Sequence, residues 1–173
     1  MKDNKQPKQK MKDLQSKKVS QKPVQSHLRI RFLGEVDQRL RPEVLALTRW
    51  LREWYDFPVP CEIRLRDVSK IIDRDKTPCS LRFWRSTGRR EPFKGELAVG
   101  SFTKTLKREG PTVAYPTVIA AIGRLVKYYF QSITNAPLRE DYATAWGDKL
   151  LDAYVAGSYP PQQGNKVKKY KSI

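Results

Sequence analysis

The sequence predicts an α+β fold: a small three- to four-stranded sheet with a long central helix and further helices packed on it. Three observations predict it. Two stretches near 28–33 and 59–66 alternate apolar and charged residues, a long stretch after Pro111 carries an unbroken apolar stripe at helical spacing, and the strand signals precede that stripe.

The first predicted strand begins at Leu28. Leu28, Ile30 and Phe32 alternate with Arg29 and Arg31, and Gly34 ends the run, so its exposed face is expected to be basic. Pro42 suits the first turn of a helix. Val44, Leu47, Leu51 and Trp54 follow at spacing three and four, with Leu45 and Tyr55 widening the stripe, and Pro58 and Pro60 stop it. Val59, Cys61, Ile63 and Leu65 then alternate with Glu62, Arg64 and Arg66, which predicts a strand. Residues 67–79 are expected to hold a short helical turn and a loop. Leu81 and Phe83 mark a second strand of this group and Glu96 to Val99 a third, joined by the turn-forming, basic STGRREPFKG. Gly88, Gly95 and Gly100 read as isolated turn glycines, so no phosphate-binding loop is expected.

A short helix is expected over 101–110, ending at Gly110, and the long one follows Pro111. Its stripe is Tyr115, Val118, Ile119, Ile122, Leu125, Val126, Tyr129, Phe130 and Ile133, broad enough for a largely buried helix. Asn135-Ala136-Pro137 breaks it. A last helix is predicted from about Leu138 to Ala156, with Tyr142, Ala145, Trp146, Lys149-Leu150 and Ala153 on its inner face, and Gly157 with Pro160-Pro161 ends the fold.

The 39% hydrophobic and 31% charged residues suit a folded domain, and the formal charge of +17 attracts polyanions. That charge is concentrated at the ends. Residues 1–27 carry eight Lys against Asp3 and Asp13, and 166–173 carry four Lys and no acid. The expected organisation is a disordered basic tail (1–27), a single domain (28–159) and a flexible basic tail (160–173). No secretory leader or membrane span is expected, and the expected location is cytoplasmic or nucleoid-associated. Cys61 and Cys79 are expected to be reduced thiols.

The segment from Thr117 to Tyr154, TVIAAIGRLVKYYFQSITNAPLREDYATAWGDKLLDAY, resembles the active-site helix and following helix of small zincin-type (HExxH) metalloproteases. The resemblance implies the minimal zincin fold. In an HExxH helix two histidines at i and i+4 share a face and hold zinc, with the intervening glutamate as general base. Here Arg124 and Tyr128 stand at the histidine positions and Leu125 at the base position, while Glu140 or Asp141 matches the third ligand. A shifted register, with Ala120, Ala121 and Arg124 over the motif, supplies no ligands either. The single histidine, His27, lies in the basic tail, so a two-histidine zinc site cannot form within one chain. The resemblance therefore implies a pseudoenzyme: no cofactor, no metal and no catalytic residue is expected, and Arg124 is expected to pair with the carboxylates of the last helix. Asp73-Arg74-Asp75 reads as a solvated loop. The resemblance also implies a phage or mobile-element origin.

The positive functional signal is LRFWRSTGRREPFK, in which Arg82, Arg85, Arg89, Arg90 and Lys94 interleave with Phe83, Trp84 and Phe93. Cations neutralise phosphates and aromatic or guanidinium planes stack on bases. In a strand Arg82 and Trp84 point away from Leu81, Phe83 and Arg85, leaving one side for the core and one for binding. With Arg29, Arg31, Arg64, Arg66 and the tail lysines Lys17, Lys18, Lys168 and Lys169, this predicts a non-catalytic module contacting DNA or RNA electrostatically. An acidic protein partner, or a peptide held in the former substrate cleft, is the alternative expectation.

Overall fold

The alternating stretches form neighbouring strands of one sheet, and the apolar stripes form the helices that cover it. The computed structural model describes residues 27–85 and 93–163. Lys17, Lys18, Arg89, Arg90, Lys168 and Lys169 lie outside the described residues, as does the expected disorder of the N-terminal tail. The chain runs β1 (Leu28–Leu33), α1 (Leu40–Trp54), β2 (Cys61–Arg66), β3 (Ile71–Ile72), β4 (Pro78–Cys79), β5 (Leu81–Arg85), β6 (Phe93–Ala98), α2 (Phe102–Glu109), α3 (Pro111–Ile133) and α4 (Glu140–Ala156). The four-stranded sheet has the order β1-β2-β6-β5, with β1, β2 and β6 parallel and β5 antiparallel at one edge. The fold is α+β, as the sequence predicts.

Because side chains alternate across a sheet, the register gives each face a fixed membership. Leu28, Ile30, Phe32, Cys61, Ile63, Leu65, Phe93, Gly95, Leu97, Leu81 and Phe83 share the inner face. Helix α3 lies on it: Tyr129 meets Phe93 edge-on at 5.5 Å, and Tyr128 lies 6.0 Å from Phe83. Gly95 is in the middle of β6, not in a turn, and its missing side chain makes room for α3: a Cβ there would sit 3.2 Å from Leu125 Cδ2. Gly100 does occupy a turn, where a Cβ would be 2.6 Å from the Val68 carbonyl carbon.

Helix α1 buries Leu40, Val44, Leu47 and Leu51 in the same core. Leu45 does not join them and is 43% exposed, because it lies one position off the 3.6-residue stripe. Residues 67–79 form no helical turn. They make a two-residue antiparallel ladder between β3 and β4, turned by Lys76 at φ 58°. Helix α3 starts after Gly110 (φ 83°) with Pro111 in its first turn.

Helices α3 and α4 cross at two glycines. A Cβ on Gly123 would lie 3.0 Å from Gly147 Cα, and one on Gly147 would lie 2.6 Å from the Ala120 carbonyl oxygen. This contact sets the inner face of α4 as Ala143, Trp146, Gly147, Leu150 and Ala153. Tyr142, Ala145 and Lys149, expected on that face, point to solvent. The chain does not leave the domain at Tyr159, as the expected boundary has it: Pro160 is buried and residues 161–163 are hydrogen-bonded to the helical layer. No helix of the described residues is long and apolar enough to cross a membrane.

Candidate nucleic-acid interface

The five positions carried by the zincin resemblance do not converge on one point. Arg124 turns towards α4, where its stem fills the space left by Gly147 (a Cβ there would be 3.1 Å from Arg124 Cγ). Its Nη2 donates to Glu140 Oε1 at 3.2 Å. Leu125 is fully buried against the sheet, and Tyr128 faces Phe83 on β5. Asp141 pairs with Arg139 at 2.8 Å, not with Arg124. Glu140 is 79% exposed, so its ion pair with Arg124 is screened and contributes at most about 0.5 kcal/mol. An arginine, a buried leucine and a tyrosine packed against β5 offer zinc no donor set. Among the described residues there is no cluster of three or more His, Cys, Asp or Glu side chains able to hold a metal. Burial pushes the Cys61 thiol up to about 12, keeping it protonated.

The opposite face of the sheet is organised differently. The register sets Arg29 beside Glu62, Glu62 beside Lys94 and Lys94 beside Trp84; in the next row Arg31, Arg64, Glu96 and Arg82 stand side by side. Arg66 begins a third row. Six cations therefore share this face with two carboxylates. The core cluster draws α1 and α3 to the inner side, and Arg31 and Arg66 keep side-chain exposures of 53% and 43% on the outer one.

The two carboxylates act as a frame. Glu96 is buried, and Arg82, Arg66 and Arg64 converge on it at 3.0, 3.6 and 3.9 Å. Glu62 takes Arg64 at 2.5 Å and Arg31 at 3.7 Å. Each carboxylate thus pairs with more than one guanidinium. Six cations against two carboxylates leave the face electropositive, and Arg31, Arg64, Arg66 and Arg82 are each ion-paired on it. Arg82 is held further by the Ile72 carbonyl at 3.2 Å, and its guanidinium lies 4.5 Å over the Trp84 ring. Arg29 and Lys94 have no carboxylate within 4.0 Å among the described residues.

Of the residues the sequence marks for binding, Arg64, Arg66, Arg82, Trp84 and Lys94 come together on this face. Arg85 does not: it lies on the inner side, 5.1 Å over Phe93 at the sheet edge. The carboxylate frame of Glu62 and Glu96 is what sequence reasoning misses. The alternation places each glutamate on the outer face, but only the pairing of distant strands puts Arg64 beside Glu96. At the β1–β2 edge a cleft of about 350 Å³ opens between His27, Arg29, Arg52, Pro60, Cys61 and Glu62. Arg52 closes its floor by donating to the Leu28 carbonyl through both Nε, at 3.1 Å, and Nη2. Comparison with protein-family models gives no match, and neither does comparison with curated proteins or with solved structures.

Proposed function

We propose that this chain is a non-catalytic binding module whose outer sheet face contacts nucleic acid electrostatically, with its lysine-rich ends adding to the attraction. The observation that carries this reading is the excess of cations over carboxylates on that face, held in register by Glu62 and Glu96. A flat array of fixed guanidinium groups suits phosphates spaced along a polymer, and no contact on it selects one base. Binding should therefore be salt-sensitive and weakly sequence-specific. The zincin-like helix pair serves, on this reading, as scaffold: Arg124 and Glu140 join two helices instead of holding a reacting group.

Fluorescence anisotropy with labelled single-stranded and duplex oligonucleotides, across a salt series, tests it. The expected result is affinity that falls steeply with salt for at least one of the two. Binding absent from both, or indifferent to salt, sinks the reading.

A further inference from the structure

The helical layer, away from the sheet's outer face, holds a second organised surface. After α4 ends at Gly157 (φ 64°), the segment Ser158-Tyr159-Pro160-Pro161-Gln162-Gln163 runs as a strap across α1, α3 and α4. Three successive carbonyls of the strap each accept one hydrogen bond, and each donor comes from a different element. The Tyr55 hydroxyl, just after α1, donates to Pro161 O at 2.5 Å; Trp146 Nε1 of α4 donates to Gln162 O at 2.8 Å; Lys127 Nζ of α3 donates to Gln163 O at 2.9 Å. Pro160 is buried, and Tyr159 meets Trp54 edge-on at 5.6 Å.

This pattern has a chemical logic. Proline has no N–H, and the residue before a proline is held extended, so a Tyr-Pro-Pro run presents carbonyls along its length and few donors. The groove is its complement, with the donors Tyr55, Trp146 and Lys127 set among aromatic rings. Aromatic-lined grooves whose donors read the carbonyls of extended proline-rich peptides are a recurring mode of peptide recognition. Among the described residues, the Tyr159 ring, buried Pro160 and the Gln163 side chain, which donates to Asp56 O at 3.3 Å, add to the three carbonyl contacts. Such a site tolerates other sequences of the same chemistry.

We propose that the groove lined by Trp54, Tyr55, Lys127 and Trp146 is a binding site for a proline-rich segment of a partner protein, occupied in cis by Tyr159–Gln163. The occupant is argued from the seated one: a Tyr-Pro-Pro segment already fits, through contacts any extended prolyl peptide can make. A terminal strap tied down at a few points is expected to open locally at lower cost than the core. A tethered occupant competes at an effective concentration on the order of millimolar, so the partner segment gains access when the strap is weakened or the partner is concentrated nearby.

The test uses the full chain, the full-chain variant Pro160→Ala/Pro161→Ala, and a synthetic peptide of residues 157–164. The Trp146 indole N–H resonance is the reporter. The peptide should shift that resonance in the variant, should bind wild type at least tenfold more weakly, and should lose binding when its prolines are replaced by alanine. No shift in the variant at millimolar peptide would overturn the proposal, as would a dimer formed by strap exchange that leaves the groove closed to peptide. Should the variant fail to fold, hydrogen exchange of the Trp146 indole in wild type decides. Exchange well below the global unfolding free energy supports an exchangeable strap, and exchange only through global unfolding overturns it.

Discussion

The α3–α4 joint and the outer sheet face both place arginine beside glutamate, and they use the pair in opposite ways. At the joint one guanidinium meets one carboxylate that is 79% exposed, and the contact that sets the geometry is steric: two helices brought together by Gly123 and Gly147. On the sheet face one buried carboxylate gathers three guanidinium groups whose charge it cannot cancel. The first arrangement joins two elements through a single ion pair. The second leaves an excess of positive charge on the sheet face. A motif-like position can therefore be structural while an unremarkable alternation of Arg and Glu supplies the surface proposed to bind.

The most severe way to break the comparison is at the joint. Gly147→Ala forces a Cβ to within 2.6 Å of the Ala120 carbonyl oxygen, which is backbone and cannot swing aside. The expected cost is about 3 kcal/mol, a Tm lower by roughly 6–12 °C in a chain of this size, read by thermal unfolding. Nucleic-acid affinity of the molecules that remain folded should not change. Glu96→Gln comes next. It leaves Arg64, Arg66 and Arg82 without their shared counter-charge, which should cost about 2 kcal/mol, less than a fully buried pair because the arginines reach solvent. The same substitution should tighten oligonucleotide binding, since it removes a negative charge from the face. Loss of stability with no gain in affinity would mean that Glu96 does not frame the binding site.

An ion-paired aspartate, Asp37, gives a control away from both regions. It accepts hydrogen bonds from Arg39 and Thr103, and the Arg39 guanidinium above all holds its carboxyl far below the usual aspartate value of 3.8. A depressed carboxylate stabilises the fold fully above its unfolded value. That contribution fades as pH falls below about 4 and is gone once the folded group protonates. Asp37→Asn should cost about 1 kcal/mol at neutral pH and flatten the acid limb of a stability–pH profile. The smallest effect is expected at the joint's own ion pair. Glu140→Gln should change stability by less than about 0.5 kcal/mol and leave oligonucleotide binding untouched. A larger loss would return the Arg124–Glu140 pair to the centre of the molecule's function.

Much of the fold was legible because its signals are local. The Cys61–Arg66 alternation specifies both the strand and which residues face the core, and the stripe from Val118 to Phe130 specifies the buried helix. The misreadings are physical too. The inner face of α4 was expected where side chains are large or apolar, at Tyr142 and Ala145. Close helix crossing selects instead for smallness, at Ala143 and Gly147. The 67–79 segment is too short for any period to declare itself. Pro160 and Pro161 were read as the end of the fold because proline breaks helices, but Pro160 is buried and the Pro161 carbonyl accepts a hydrogen bond from Tyr55. The candidate interface was half legible. Alternation put Arg64, Arg66, Arg82 and Trp84 on the outer face, whereas the convergence on Glu96 depends on pairing residues up to 32 positions apart, from Arg64 to Glu96.

The most direct measurement is the salt dependence of oligonucleotide affinity in wild type and in Arg29→Gln/Arg31→Gln/Lys94→Gln, three substitutions at outer-face cations that do not pair with buried Glu96. If the outer face is the contact surface, the slope of log affinity against log salt becomes shallower by about two to three, with Tm little changed. An unchanged slope and affinity in a folded variant would place binding elsewhere and contradict the central claim.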